Sequence, residues 1–217
     1  MLANSLDLTQ PKLAGEQRIT LRGLDWLAYQ QLQNLLTERT KARLTYDCGT
    51  LEITMPSQSH EFSAEIIGLF IRILVVEMGL KLLSLRSTTL DRSDLNRGAE
   101  PDNSYYIGHQ PQVAGREIDL ETDPPPDLVV EVDITHTDID KPALYAAMGV
   151  PEFWQFDGKV WQIFQLEAGQ YLECDTSPLF PFVSKADLYQ FLAACQQDEV
   201  AAEVEFRAWV REELCRQ

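Results

Sequence analysis

Three consecutive prolines, Pro124 to Pro126, followed by Asp127 and the run Leu-Val-Val-Glu-Val-Asp at 128–133, constrain this chain most. Proline lacks an N–H and collides with a preceding helical turn, so nothing helical runs into the segment from upstream. A short Val-rich run with apolar residues at both parities is what a strand covered on both faces requires. Such a strand needs a layer on each side, and the chain is therefore expected to be α/β (α+β), a mixed central sheet flanked by helices. Period-two geometry sends residues 131 and 133 to one side of that strand and Val130 and Val132 to the other. Glu131 interrupts the apolar run, and a carboxylate there is costly to ionise unless a cation or hydrogen-bond donors meet it.

The remaining elements are read from periodicity. Residues 1–17 are polar, carry Pro11 and Gly15, and read as a loose N-terminal arm, leaving 18–217 as a single domain. Residues 25–38 show apolar residues at helical spacing behind Asp25. ARLTYD and TLEITMP alternate around Cys48-Gly49, a hairpin signal. From Ser59 a long helix is written by Phe62, Ile66, Ile67, Phe70, Ile71, Leu74, Val75 and Met78, closed by Gly79. LKLLSLRSTTL and EPDNSYYIG read as strands, and residues 140–148 as a helix stopped by Gly149 and Pro151. EFWQFDG, KVWQIFQL and QYLEC form a C-terminal β-meander, followed by helices at 184–196 and 198–214.

Composition narrows the function classes. With 18 Lys+Arg against 34 Asp+Glu the net charge is −16, a field that opposes a phosphate polyanion. A nucleic-acid role then needs a local basic lining or a charge-neutralising metal. Cys48, Cys174, Cys195 and Cys215 lie far apart without zinc-ligand spacing and read as reduced thiols. The apolar stretches are broken by Arg72, Glu77 and Lys81, so a soluble cytoplasmic protein is expected.

Three segments carry candidate chemistry: Glu100-Pro101-Asp102, the strand with Glu131 and Asp133, and Lys141. Two carboxylates from adjacent strands suit Mg²⁺, which prefers oxygen ligands and keeps several waters. The same residues also suit a buried ion-pair network that fixes the sheet. Lys141 precedes Pro142, which belongs in a first helical turn. A cation there opposes the helix dipole by ~0.3 to 1 kcal/mol, an expense that carboxylates upstream would offset.

The segments YDCGTLEITMPSQSHE, RSTTL, GAEPDNSYYI and, above all, PPPDLVVEVDITHTDIDKPALYAAMGVPEFWQFDG resemble the Uma family of restriction-endonuclease-like proteins, within the PD-(D/E)XK nuclease superfamily. The resemblance runs from Trp26 over most of the chain. It implies a metal-dependent endonuclease acting on DNA, with Asp102 and Glu131 as metal ligands for Mg²⁺ or Mn²⁺. Position 133, where the superfamily lysine belongs, is Asp, and the resemblance implies that Lys141 supplies the ammonium instead. A helix glutamate, Glu61 or Glu65, would complete the set.

Other residues read more plainly. His60 reads as a helix-capping or surface histidine, and His109 and His136 as loop residues. Asp127 reads as a strand-edge acceptor. Trp154 with Phe156, and Trp161 with Ile163, fall at strand spacing as core or subunit interface, and interface is preferred, in line with a homo-oligomer, a dimer. Arg86, Arg92 and Arg97 flank the entry to Asp102 as candidate phosphate contacts. The competing expectation is a catalytically inactive nuclease-fold interaction module, motivated by Asp133 and the charge of −16.

Overall fold

The computed structural model describes residues 15–37 and 42–216. Its strands and helices, in chain order, are β1 (Gln17–Arg22), α1 (Trp26–Thr37), β2 (Arg43–Asp47), β3 (Thr50–Met55), α2 (Gln58–Glu77), β4 (Leu83–Ser84), β5 (Leu90–Arg92), β6 (Arg97–Ala99), β7 (Asn103–Tyr106), α3 (Gln110–Val113), β8 (Leu128–Val132), α4 (Lys141–Ala147), β9 (Glu152–Phe156), β10 (Trp161–Glu167), β11 (Gln170–Cys174), α5 (Lys185–Cys195) and α6 (Glu199–Arg216).

The strands form two sheets, the mixed central sheet expected and a second, antiparallel sheet that takes in the hairpin β2-β3. One has the order β1-β3-β2-β6-β5 and is antiparallel; the other has the order β11-β10-β9-β8-β7-β4. In the second, β8 and β9 are parallel while the other pairings are antiparallel. A parallel pair needs a crossover, and α4 supplies it. The strand segment expected at 80–90 divides between the sheets, and the one expected at 100–108 forms a strand only from Asn103. Leu83–Ser84 and Asn103–Tyr106 pair with each other in the six-stranded sheet, whereas Leu90–Arg92 and Arg97–Ala99 pair in the five-stranded one.

The central strand is covered on both faces, as its composition demands. Val130 and Val132 pack with Ile67, Phe70 and Ile71 of α2 and with Phe191 and Phe206 of α5 and α6. Val129 faces the opposite way, against Leu144 and Tyr145 of α4 and Phe153. A third cluster, Tyr29, Leu44, Tyr46 and Leu51, seats α1 on the five-stranded sheet. Helix starts follow the caps. Asp25 accepts from Ala28 N at 2.8 Å, the Ser57 side chain accepts from His60 N, and Ser184 with Asp187 forms a capping box.

Two expectations change. The meander aromatics are core: Trp154 and Trp161 are each 1% exposed and meet edge to face at 4.6 Å, with Phe156 and Ile163 buried beside them. Aromatic edge-to-face packing of this kind fills a domain interior and leaves no ring for a subunit interface. The loose-arm reading of residues 1–17 falls mostly on 1–14, outside the described residues, but Gln17 opens β1 and Glu16 is buried. All four cysteines are free thiols. Among the described residues no helix is long and apolar enough to cross a membrane.

Candidate metal and phosphodiester site

The site lies where the chain passes from one sheet to the other. β6 ends at Ala99 in the five-stranded sheet and β7 begins at Asn103 in the six-stranded one. Glu100 still belongs to the first sheet, because its N–H donates to Leu44 O at 2.9 Å and its carboxylate accepts from Leu44 N at 2.9 Å. Pro101 has no N–H to give to either ladder. Asp102 is the first residue on the other side. Asn103 pairs with Val130, which brings Asp102 alongside Glu131 and Val132 of β8. Its Oδ2 accepts from Val132 N at 2.7 Å, and its Oδ1 lies 2.7 Å from His60 Nε2 and 3.0 Å from Arg43 Nε.

Glu131 and Asp133 share the α4 side of β8, as period two requires. Lys141, in the first turn of α4 behind the Asp140 cap, donates to Glu131 Oε2 at 2.8 Å and to Asp133 Oδ1 at 2.7 Å. The Tyr145 hydroxyl, one turn further along, donates to Glu131 Oε1 at 2.5 Å. Asp133 also receives Arg18 Nη2 at 2.9 Å and Gln155 Nε2 at 3.1 Å. The cation unfavourably placed at a helix start is thus held by the two acids upstream.

A second ring of charge backs these groups. Arg18 of β1 reaches Glu52 at 2.8 Å and Glu16 at 2.9 Å besides Asp133. Glu16 in turn lies 2.5 Å from His60 Nδ1 and accepts from the Thr135 hydroxyl and N–H. Glu52 accepts from the Thr137 hydroxyl and from the backbone N–H groups of Asp138 and Ile139. His60 therefore bridges two carboxylates, Glu16 and Asp102, with one imidazole.

Burial and neighbours set the protonation of these groups. Burial works against a charged His60, yet its hydrogen bonds to Asp102 and Glu16 outweigh it and lift the pKa to about 9. Burial likewise pushes Glu16 and Asp133 upward, but His60, Thr135 and Arg18 hold the former at about 2, and Lys141 with Arg18 hold the latter at about 2. Glu131 differs. Its burial dominates, Lys141 opposes it, and Asp102 and Asp133 add repulsion, so its pKa is pushed up to about 7. Burial lowers the Lys141 pKa, but the Asp133 and Glu131 charges more than offset that and keep it above the ordinary ammonium range.

The sequence-derived candidates fall into two groups. Asp102, Glu131 and Lys141 converge and are 4%, 2% and 5% exposed. His60, read as a capping or surface residue, is instead 2% exposed and centrally placed, because it stands four and seven residues before Ala64 and Ile67 on the buried stripe of α2. Arg86, Arg92 and Arg97 pair with Glu65, Asp94 and Asp47, so the guanidinium at Asp102 is Arg43, which the sequence reading missed. Glu65 is exposed on that Arg86 pair, whereas Glu61 lies 3.4 Å from Arg43 and so one guanidinium away from Asp102. Asp127 accepts from Ile107 N and His109 N as a strand-edge acceptor, with the His109 ring against it, and His136 is exposed beside Asp138.

Asp102 and Glu131 offer hard oxygen donors from neighbouring positions of adjacent strands. Among the described residues no three His, Cys, Asp or Glu side chains are grouped to hold a metal ion. The donors suit a cation that takes one or two carboxylates and fills its remaining positions with water and phosphate oxygens, which is the Mg²⁺ mode and not the four-ligand zinc mode.

A groove of about 870 Å³ opens beside Arg43, Glu61 and Glu100 and is floored by the loops preceding α2 and β5. No curated protein matches the chain. The family model of Uma2, described as "Putative restriction endonuclease", matches residues 26–196, a span that takes in Asp102, Glu131, Asp133, Lys141, His60 and Arg43 and leaves out β1 with Glu16 and Arg18. The chain belongs to the Uma2 family.

Proposed function

We propose that the chain is a divalent-metal-dependent endonuclease hydrolysing DNA phosphodiester bonds, with Asp102 and Glu131 as metal ligands and Lys141 as the ammonium of the site. The observation that carries this reading is the meeting of Glu131 with the Lys141 ammonium at 2.8 Å on the strand next to Asp102. A Mg²⁺ or Mn²⁺ ion, when bound, supplies a water of lowered pKa and offsets charge building on the phosphate. Lys141, kept protonated, adds a fixed positive charge for a developing oxyanion in a site sheltered from water. Tyr145 orients Glu131, and His60 and Val132 N orient Asp102, so neither carboxylate must reorganise during reaction. The protein's charge of −16 makes such local neutralisation a requirement.

Purified protein with Mg²⁺ or Mn²⁺ should nick supercoiled DNA, and Asp102→Asn or Glu131→Gln should abolish nicking. Wild type and both variants behaving alike would remove the reading.

A second reading is favoured by one specific observation: each carboxylate oxygen of Asp102, Glu131 and Asp133 already meets an internal donor. This is the arrangement of a nuclease fold kept as a non-catalytic, homo-oligomeric module. Titration calorimetry separates the two, because Mn²⁺ binding that is lost in Asp102→Asn contradicts the second reading.

A further inference from the structure

We propose that the groove beside Asp102 admits a single DNA strand and that Arg43 is the positioning residue for its phosphate, exchanging Glu61 for a phosphate oxygen. The proposal rests on the nuclease reading above and names the route and the contact that reading leaves open.

Asp102, Glu131 and Lys141 are almost wholly buried, so a substrate reaches them through an opening. Two openings adjoin the site. The smaller, about 480 Å³, is lined by Asp133, Thr135, His136, Asp157 and Lys159 and offers one hydroxyl beside its charged groups. The larger, about 870 Å³, is lined by the carboxylates Glu61 and Glu100 and also by Arg43, Ser57, Gln58, Thr88 and Thr89; the latter five bring a cation, hydroxyls and an amide. These are the groups that position a phosphate backbone without reading sequence. The volume lies within the ~300 to 1,000 Å³ range of small-ligand pockets and suits a short stretch of one strand rather than a duplex face.

Arg43 has the chemistry of an exchangeable clamp. Its side chain is 20% exposed, its Nη2 reaches Glu61 only at 3.4 Å, and that carboxylate is 53% exposed. A long pair at the surface contributes little and is easily replaced. The Arg43 Nε–H is buried near Asp102 but makes no well-directed hydrogen bond among the described residues. A phosphate accepts two parallel N–H groups from a guanidinium, which a monodentate pair with Glu61 does not. The same movement relieves Asp102 of a competing cation at the moment substrate arrives.

The test is fluorescence anisotropy of a short labelled single-stranded oligodeoxynucleotide, with Ca²⁺ replacing Mg²⁺, on the full chain and three variants. Arg43→Gln should weaken binding about tenfold or more, the scale of one charge-assisted hydrogen bond. It should also flatten the logarithmic salt slope by about 0.7, the value for one phosphate of a single strand. Glu61→Gln, on an exposed side chain that puts no fold at risk, should tighten binding. Lys159→Gln should bind as wild type does. If Arg43→Gln melts early, Glu61→Gln decides, and unchanged or weakened binding overturns the proposal. So does tighter binding of duplex than of single strand, or a loss confined to Lys159→Gln. Wild-type protein that nicks DNA while these results fail keeps the nuclease reading and loses only the groove; wild-type protein that neither binds nor nicks loses both.

Discussion

Lys141 Nζ lies 2.7 Å from Asp133 Oδ1, so the ammonium sent by α4 meets the acid that directly follows β8. The same amine is 2.8 Å from Glu131. The ammonium thus joins the two acids, and Asp133 is a counter-ion that anchors it beside Glu131. Arg18 supplies the remaining positive charge at Asp133 from the other sheet.

Removing the Lys141 charge should leave two buried carboxylates facing each other. Lys141→Met is expected to cost about 3 to 5 kcal/mol, the usual penalty for breaking a buried pair from one side. Adding Glu131→Gln to it should restore part of that loss, since the repulsion with Asp133 disappears. Urea unfolding of the single and double variants measures both, and a Lys141→Met protein as stable as wild type would show that the ammonium carries no such weight.

His60 makes stability depend on pH in one direction. Its folded pKa, about 9, lies above the ordinary value of 6.5, so the folded chain binds the proton more tightly. Its contribution is therefore complete below about pH 6.5, declines as pH rises through the interval, and is gone above about 9. The amount lost across that interval is on the order of 3 kcal/mol. In EDTA, the difference in unfolding free energy between wild type and His60→Gln should shrink from pH 6 to pH 9.5, and a constant difference would contradict the ionic bridge to Glu16 and Asp102.

Much of this arrangement was legible in the sequence, and the exceptions have physical causes. The doubly covered β8 and the amphipathic α2 follow from period and from proline and glycine stops, whereas the meeting of Asp102, Glu131 and Lys141 was implied by the family resemblance. Strand β1 was not legible because its pattern is inverted: Ile19 and Leu21 are exposed while Arg18 is turned inward to an acidic site. The division into two sheets was hidden because the switch at Pro101 is a single residue inside an otherwise strand-like stretch. Arg43 looked like any polar residue of a half-buried strand, since its partner lies 59 positions away, from 43 to 102. His60 alone carried a usable signal, its register with Ala64 and Ile67.

The five-stranded sheet has little tolerance at Gly98. A Cβ there would meet the Asp91 carboxylate, the Tyr29 hydroxyl at 2.5 Å and the Tyr29 ring at 2.8 Å. Those groups are fixed to each other by a 2.8 Å hydrogen bond, and Tyr29 also stacks on Tyr46 at 4.7 Å, so neither swings aside freely. Overpacking of this kind typically costs about 1 to 3 kcal/mol. Gly98→Ala should lower the thermal midpoint by several degrees in calorimetry, and an unchanged midpoint would mean that the α1 interface yields.

Arg18 gives β1 a role beyond its place at the sheet edge. Its side chain is 7% exposed and spans three carboxylates, Glu16, Glu52 and Asp133, the last belonging to the other sheet. Arg18→Met would keep the apolar stem and remove the guanidinium, leaving those acids with fewer donors in a buried setting, at a cost of about 3 to 5 kcal/mol. β1 is held otherwise by its ladder to β3 and by no third strand, so the loss should appear first as local opening. Hydrogen exchange at the amides of β1 should accelerate more than exchange in β8, whose Val130 and Val132 remain in the main core. In a cycle with Asp133→Asn, the two substitutions should be non-additive by ~0.5 to 3 kcal/mol, as for residues in direct contact. Additive losses together with unchanged protection of β1 would show that the strand docks by its backbone alone and that the bridge between the sheets is incidental.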